Sequence, residues 1–250
     1  MMTSSLPLHT LSFAYQERPW EENLATLLGL FERALPHSLS LAPELCLTGY
    51  AYTRMEEAAA FSQHALEILQ EASLHKALGL TCIVQTPQGF ANRFHLFSDG
   101  ALVHTQDKAK LFPLGDEPAH FVAGSTEAIA PFTWQGVRLG VLICFELRFP
   151  LLWEQLKGVE VLLVPAFWGK ERKKHFETLC EALAIVNQCY VVATNAMDEH
   201  MAAGSALIDP FGVTVRDDTH ALLTCNATDK PLQTMRRYIN IGLSCPSSKN

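Results

Sequence analysis

The run "VEVLLVPA", Val159 to Ala166, constrains the fold more than any other stretch of this chain. It is apolar at nearly every position, so it has no side to turn toward water. A strand of this kind is buried on both faces, inside a sheet covered above and below. The rest of the chain supplies the cover, because strand-like and helix-like stretches alternate from end to end. "LHTLSFAY" (8–15), "SLSLA" (38–42), "LTCIVQTP" (80–87), "VRLGVLIC" (137–144), "YVVATN" (190–195), "SALIDP" (205–210) and "GVTVRD" (212–217) read as strands. "RFHLFSDGALVHTQDK" (93–108) reads as a hairpin turning at Asp99-Gly100. "EENLATLLGLFERAL" (21–35) sets Leu24, Leu27, Leu28, Phe31 and Leu35 at helical spacing behind acidic residues suited to a helix N-terminus. "MEEAAAFSQHALEILQEASLHKALG" (55–79) predicts one or two helices closed by Gly79, "PLLWEQLKG" (150–158) a helix with Pro150 near its start, and "KHFETLCEALAIVNQ" (174–188) another.

This order predicts one α/β domain over 1–250, with two layers of strand and helices outside. The hairpins make its sheets mixed. The last stretch, about 230–250, has weak periodicity and is expected to pack on another subunit or to fray.

Composition narrows the function classes. Nineteen Lys and Arg against 26 Asp and Glu leave a net charge of −7. The only basic cluster, "KERKKH" (170–175), reads as a solvated loop or helix start, so a nucleic-acid partner is not expected. No apolar run approaches the roughly 20 residues of a membrane span, and the N-terminus lacks a signal-peptide pattern. Seven cysteines without a CxxC pair suit reduced thiols and a cytoplasmic location. No metal-ligand pairing, P-loop, GxGxxG or GxSxG motif occurs, so no metal or organic cofactor is expected.

Ligands in open α/β sheets gather beyond the C-terminal ends of strands. Three strand ends here carry reactive groups: Glu44 after "SLSLAP", Lys108 after "LVHTQD", and Cys144 after "VRLGVLI". Each has a bland reading. Cys144 suits an inert core thiol, Glu44 a loop cap, and Lys108 a solvated charge that spacing does not separate from Lys110. Together they offer a base, a cation and a nucleophile. A helix expected just after Cys144 would lower its thiol pKa. His175, at the start of a helix, is a partner candidate for the thiol or a wall residue.

The chain resembles the nitrilase superfamily of carbon–nitrogen hydrolases, in blocks that follow the family order. "LAPELCLTGY" resembles the catalytic-Glu segment, "DKAKLFPLGDE" the catalytic-Lys segment, and "GVLICFELRFP" the nucleophile segment; "HFETLCEALAIVNQCYVVATN" and "GSALIDPFG" resemble later elements. The resemblance implies a four-layer α-β-β-α sandwich that forms homodimers or higher homo-oligomers. It also implies catalytic roles for Glu44, Lys108 and Cys144, with Glu117 as a second glutamate. The departures are Phe145 and Glu146 for Tyr-Asp, Lys110 for His, and Leu183 and Val186 where the family carries Arg and Glu.

By that resemblance, Cys144 attacks the carbon of a C–N bond while Glu44 takes the thiol proton. Lys108 and the Phe145 N–H hold the oxyanion, ammonia leaves, and water hydrolyses the thioester. "CFELRF" lies closer to omega-amidase-like members than to nitrile-cleaving ones. Arg148 is then a candidate for reading a far carboxylate, or else a partner of Glu146. Trp168 and His175 are candidate pocket walls. The alternatives are an N-carbamoyl amide hydrolase, a general short-chain amidase or nitrilase, and, in another class, a non-catalytic redox-responsive thiol protein.

Overall fold

The computed structural model describes residues 5–17 and 19–243. Its strands are β1 Leu6–Leu11, β2 Leu39–Leu41, β3 Ala77–Thr86, β4 Gly89–Ser98, β5 Ala101–Asp107, β6 Phe132–Trp134, β7 Val137–Val141, β8 Val161–Pro165, β9 Tyr190–Thr194, β10 Ala206–Ile208, β11 Thr214–Arg216 and β12 Leu222–Ala227. Its α-helices are α1 Trp20–Glu32, α2 Met55–Ala72, α3 Glu117–His120, α4 Pro150–Gln155, α5 Lys173–Asn187 and α6 Asp229–Tyr238. The strands form two six-stranded sheets, ordered β12-β1-β2-β3-β4-β5 and β6-β7-β8-β9-β10-β11. Both have one plan: three parallel strands in the middle, an antiparallel strand on one flank and two on the other.

The sheets meet face to face, through β1, β2 and β12 on one side and β9, β10 and β11 on the other. α1 and α2 cover the outer face of the first sheet, and α5 covers that of the second. This is the expected four-layer α-β-β-α sandwich with mixed sheets. It explains the run that constrained the fold: β8 lies between the parallel neighbours β7 and β9, and every residue of it is fully buried. Alternation sorts β3 in the same way. Ala77 faces the core between the sheets, while Leu78, Leu80 and Cys82 join Leu27, Phe31 and Leu69 under the helices.

The structure moves one sequence boundary. α2 stops at Ala72 with Ser73 as its cap, and Gly79 lies inside β3 instead of closing the helix. A Cβ at Gly79 would sit 2.9 Å from the Phe94 ring and 3.1 Å from Leu41, so glycine there serves close packing. The Asp99-Gly100 hairpin is as expected, with both residues at positive φ (52° and 75°). β6 and β12 carry no readable signal. One has three residues, and the other is a half-exposed strand with Thr224 and Asn226 in it. The stretch from 229 is ordered on the chain's own body: Leu232 is buried, and Arg236 donates to the Val159 carbonyl at 2.6 Å. Residues 244–250, the rest of that tail, lie outside the described residues.

One buried side chain in this frame has a pH consequence. His95 on β4 stacks on Phe97 with centroids 6.0 Å apart, and burial, then the neighbouring Arg93 charge, pushes its pKa down to about 4. The unfolded chain takes that proton near pH 6.5 and the folded one does not. This histidine therefore withdraws stability as pH falls from about 6.5 toward 4, by about 2–3 kcal/mol at pH 4.5. Denaturant unfolding at pH 7 and 4.5 should show His95→Phe losing that much less than wild type. Equal losses would exclude the effect.

Candidate active site

Glu44, Lys108 and Cys144 follow the C-terminal ends of β2, β5 and β7, and the fold brings these ends together. Lys108 is fully buried, with Nζ 2.7 Å from Glu44 Oε1 and 2.7 Å from Glu117 Oε1. Its backbone N–H donates to the Asn92 carbonyl at 2.9 Å, which fixes it at the end of the β4–β5 hairpin. Glu44 is tied across the sandwich, its N–H donating to the Ala166 carbonyl just beyond β8 at 3.2 Å. Asn92 Nδ2 donates to Glu44 Oε1 at 2.8 Å. Glu117 opens α3 and accepts the Phe112 N–H at 3.0 Å. The Tyr50 hydroxyl lies between the two carboxylates, 3.0 Å from Glu44 and 2.9 Å from Glu117.

Backbone strain concentrates here. Cys144 has φ 52°, Leu45 beside Glu44 has φ 47°, and Asp116 before Glu117 has φ 61°. A non-glycine residue in the left-handed region costs about 1–3 kcal/mol and persists only where surroundings hold it. Glu146 supplies part of that hold. Its fully buried carboxylate accepts the Ile143 N–H at 2.7 Å and the Ala109 N–H at 2.6 Å. One side chain thus clamps the turn of the thiol to the segment after Lys108. Burial nevertheless pushes Glu146 up to about 7, against the pull of those N–H groups.

The electrostatics differ from the sequence expectation at the thiol. The segment after Cys144 is a single 3₁₀ turn, Cys144–Arg148, and α4 begins only at Pro150. Burial, then the Glu44 carboxylate, pushes the Cys144 pKa well above that of a free thiol, and Lys108 only partly offsets them. The resting group is a protonated thiol beside a carboxylate. Burial alone would lower Lys108, but the carboxylates of Glu44 and Glu117 outweigh it and hold the ammonium charged. Burial raises Glu117 despite Lys108, and burial with the adjacent carboxylates keeps Tyr50 a neutral phenol.

Cys144 opens into a small cleft lined by Tyr50, Phe112, Phe145, Arg148, Phe167, Trp168 and Arg172. Arg148 does not brace Glu146, which is engaged inside. Its guanidinium lies 4.5 Å above the Trp168 ring and 3.2 Å from His175 Nδ1. Phe145, Arg148 and Trp168 therefore line the cleft, whereas His175 stands behind Arg148 and outside the lining. Lys110, where the family has His, lies over the Phe149 ring at 5.4 Å.

Sequence reasoning missed Tyr50, Asn92 and Arg172. Tyr50 sits in a quoted block but has no spacing signal linking it to Glu117, 67 positions on. Arg172 was hidden in a basic cluster that reads as solvated; its nearness to Trp168 in an acidic chain was the one available cue. Among the described residues no group of three or more His, Cys, Asp and Glu side chains could hold a metal, and no helix is long and apolar enough to cross a membrane.

Comparison with known proteins agrees with the fold. The carbon-nitrogen hydrolase family profile matches residues 14–237. The omega-amidase YafV of Escherichia coli K12 is 30% identical over 247 residues, covering 93% of this chain and 94% of that protein. The 2-oxoglutaramate amidase of Bacillus subtilis 168 is 29% identical over 203 residues, covering 76% and 78%. In structure, the chain is similar to XC1258 of Xanthomonas campestris, a CN-hydrolase superfamily protein with an arsenic adduct in its active site. The TM-score is 0.85 at 23% identity, over 95% of this chain and 96% of that one. The nitrilase-superfamily protein Nit3 of Saccharomyces cerevisiae gives 0.83 at 18% identity over 97% of each. The chain belongs to the carbon-nitrogen hydrolase family.

Proposed function

We propose that this chain is an amidase that releases ammonia from small linear amides carrying a carboxylate at the far end, through a thioester on Cys144. The observation that carries the reading is the convergence of a buried thiol, two carboxylates and one buried ammonium at the floor of a cleft with Arg148 in its wall. The protonated thiol needs a base at the moment of attack, and Glu44 is the carboxylate that hydrogen-bonds it. Sγ bonds to the amide carbon as its proton passes to Glu44. The oxyanion is held by Lys108, whose Nζ has three protons and uses two on Glu44 and Glu117. The Phe145 N–H, in the first turn after Cys144 and without an intrahelical acceptor, is the second donor. Glu44 returns the proton to nitrogen, the C–N bond breaks and ammonia leaves. Water gives a proton to Glu44 and adds to the thioester. The C–S bond then breaks, the acid is released and the thiol takes the proton back. Glu117, with Tyr50, orients Lys108 and Glu44.

Similarity to an omega-amidase and a 2-oxoglutaramate amidase supports the carboxylate-tailed amide over a carbamoyl amide, a neutral short-chain amide or a nitrile. The chain acts as a single domain over 1–250, in the cytoplasm and as a homo-oligomer, without metal or cofactor. The exposed apolar strip of Ile185, Val186, Phe211, Val213 and Val215 on α5 and around β11 supports association of copies.

Ammonia release from succinamate, butyramide, an N-carbamoyl amino acid and a nitrile tests the reading. Succinamate should exceed butyramide in kcat/KM by at least about tenfold, the value of one charged hydrogen bond. A protein that turns over none of them while Cys144 still alkylates would be a thiol protein of the non-catalytic class.

A further inference from the structure

Arg172 faces the same cleft as Arg148. Its guanidinium lies 5.4 Å from the centre of the Phe112 ring, as that of Arg148 lies 4.5 Å from the centre of Trp168. Two arginines thus sit against aromatic rings in the lining of one cleft. Among the described residues no carboxylate forms a salt bridge with either of them. In a chain with net charge −7, paired arginines are easy to supply, so two unpaired ones side by side require another partner. Burial, then the Arg172 charge, lowers the Arg148 pKa, as unrelieved like charges do.

The position of Arg172 is built. It ends the 3₁₀ turn Lys170–Arg172, and the strand of chain beside it is pinned by the Lys170 N–H to the His200 carbonyl at 2.9 Å and the Ala202 N–H to the Trp168 carbonyl at 2.7 Å. A Cβ at Gly169 would lie 3.0 Å from Arg172 Nη2, although Gly169 has an ordinary φ of −70°. Glycine there gives room to the guanidinium, not freedom to the backbone.

We infer that Arg172 completes, with Arg148, a two-guanidinium receptor for the substrate carboxylate, and that it sets the preference for carboxylate-tailed over neutral amides. The inference rests on the amidase reading above and adds a specificity-determining residue to it. Planar guanidiniums on aromatic faces are held ready, and an anion between them relieves their mutual repulsion. The acyl end of the substrate meets Cys144 at the floor while the carboxylate remains at the arginines. Neutral amides of equal length gain nothing from this arrangement.

The experiment compares kcat/KM for succinamate and for butyramide in wild type, Arg172→Gln and Arg172→Lys. In Arg172→Gln the ratio of the two should fall about 10- to 100-fold, chiefly through the KM of succinamate. Arg172→Lys keeps charge but loses the planar fork, and should fall about threefold or more, which gives the answer even where Arg172→Gln does not fold. A ratio held within about twofold in both variants, or equal losses on both substrates, overturns the role of Arg172. Failure of the amidase reading shows separately, in wild type: no preference for succinamate, or no turnover of either amide.

Discussion

Cys144→Ala loses ammonia release by a factor of about 10⁴–10⁶ while keeping its fold. The size of the loss follows from covalent catalysis: without Sγ no thioester forms, and the remaining groups can only assist water. The fold survives because the side chain is small and its turn is held from elsewhere. Glu146 clamps Ile143 and Ala109, and the Leu142 N–H donates to the Leu163 carbonyl at 2.9 Å. Cys144→Gly makes the argument sharper. At φ 52° glycine removes the steric penalty of Cβ, so this variant should be more stable than Cys144→Ala by about 1 kcal/mol, and equally inactive. Loss of activity with gain of stability separates a strained nucleophile from a core thiol, whose truncation to glycine would only destabilise. Mass spectrometry of wild-type protein acid-quenched during turnover of succinamate locates the chemistry. An acyl group on Cys46, Cys82, Cys180, Cys189 or Cys225 in place of Cys144 would overturn the nucleophile assignment. Those thiols make good controls, since burial raises the pKa of each and none lines the cleft.

Much of this was readable from residue order, for identifiable reasons. Hydrophobic period is a property of single strands and helices, so β8, α1, α5 and the β4–β5 hairpin could be seen one at a time. Strand ends are also local, which is why Glu44, Lys108 and Cys144 could be singled out. What connects elements was not local. Tyr50 bridges Glu44 and Glu117 only because the loop after β2 folds over the start of α3. The thiol pKa was misread for a related reason. A helix start after Cys144 argued for a lowered value, but burial under the sandwich and the nearby Glu44 carboxylate, both products of tertiary structure, reverse the sign. Residue order leaves Arg148 open between pairing with Glu146, two positions away, and reading a substrate carboxylate; the 3₁₀ turn sends Arg148 outward to Trp168 and Glu146 inward to backbone N–H groups. The resembling blocks singled out residues one at a time, and the packing sets what each one touches.

Lys108→Met should produce the second large effect, in stability as well as rate. The ammonium is the only cation in contact with Glu44 and Glu117 among the described residues, at 2.7 Å from each, and all three side chains are essentially sealed from solvent. Removing one member of a buried charge group leaves the others uncompensated, at about 3–5 kcal/mol. Turnover should fall by about 10³-fold or more, because an oxyanion donor goes and the two carboxylates repel the developing charge. The sign of the pH dependence identifies the cause. Without Lys108 the Glu117 carboxylate, which burial already raises, is raised further above its unfolded value, and a raised carboxylate makes the folded state bind protons that the unfolded chain has released. The extra instability of Lys108→Met is therefore smallest at acid pH and grows as pH rises through the raised value of Glu117. Met at a site that merely needed filling would give a loss independent of pH. Glu117→Gln in the Lys108→Met background removes one of the stranded charges and should restore about half of the lost stability, although it destabilises the wild-type protein. That reversal of sign in a double-mutant cycle is the signature of a charge network centred on Nζ. Additive losses would mean that Lys108 is held by packing, and its role at the oxyanion would then rest on kinetics alone.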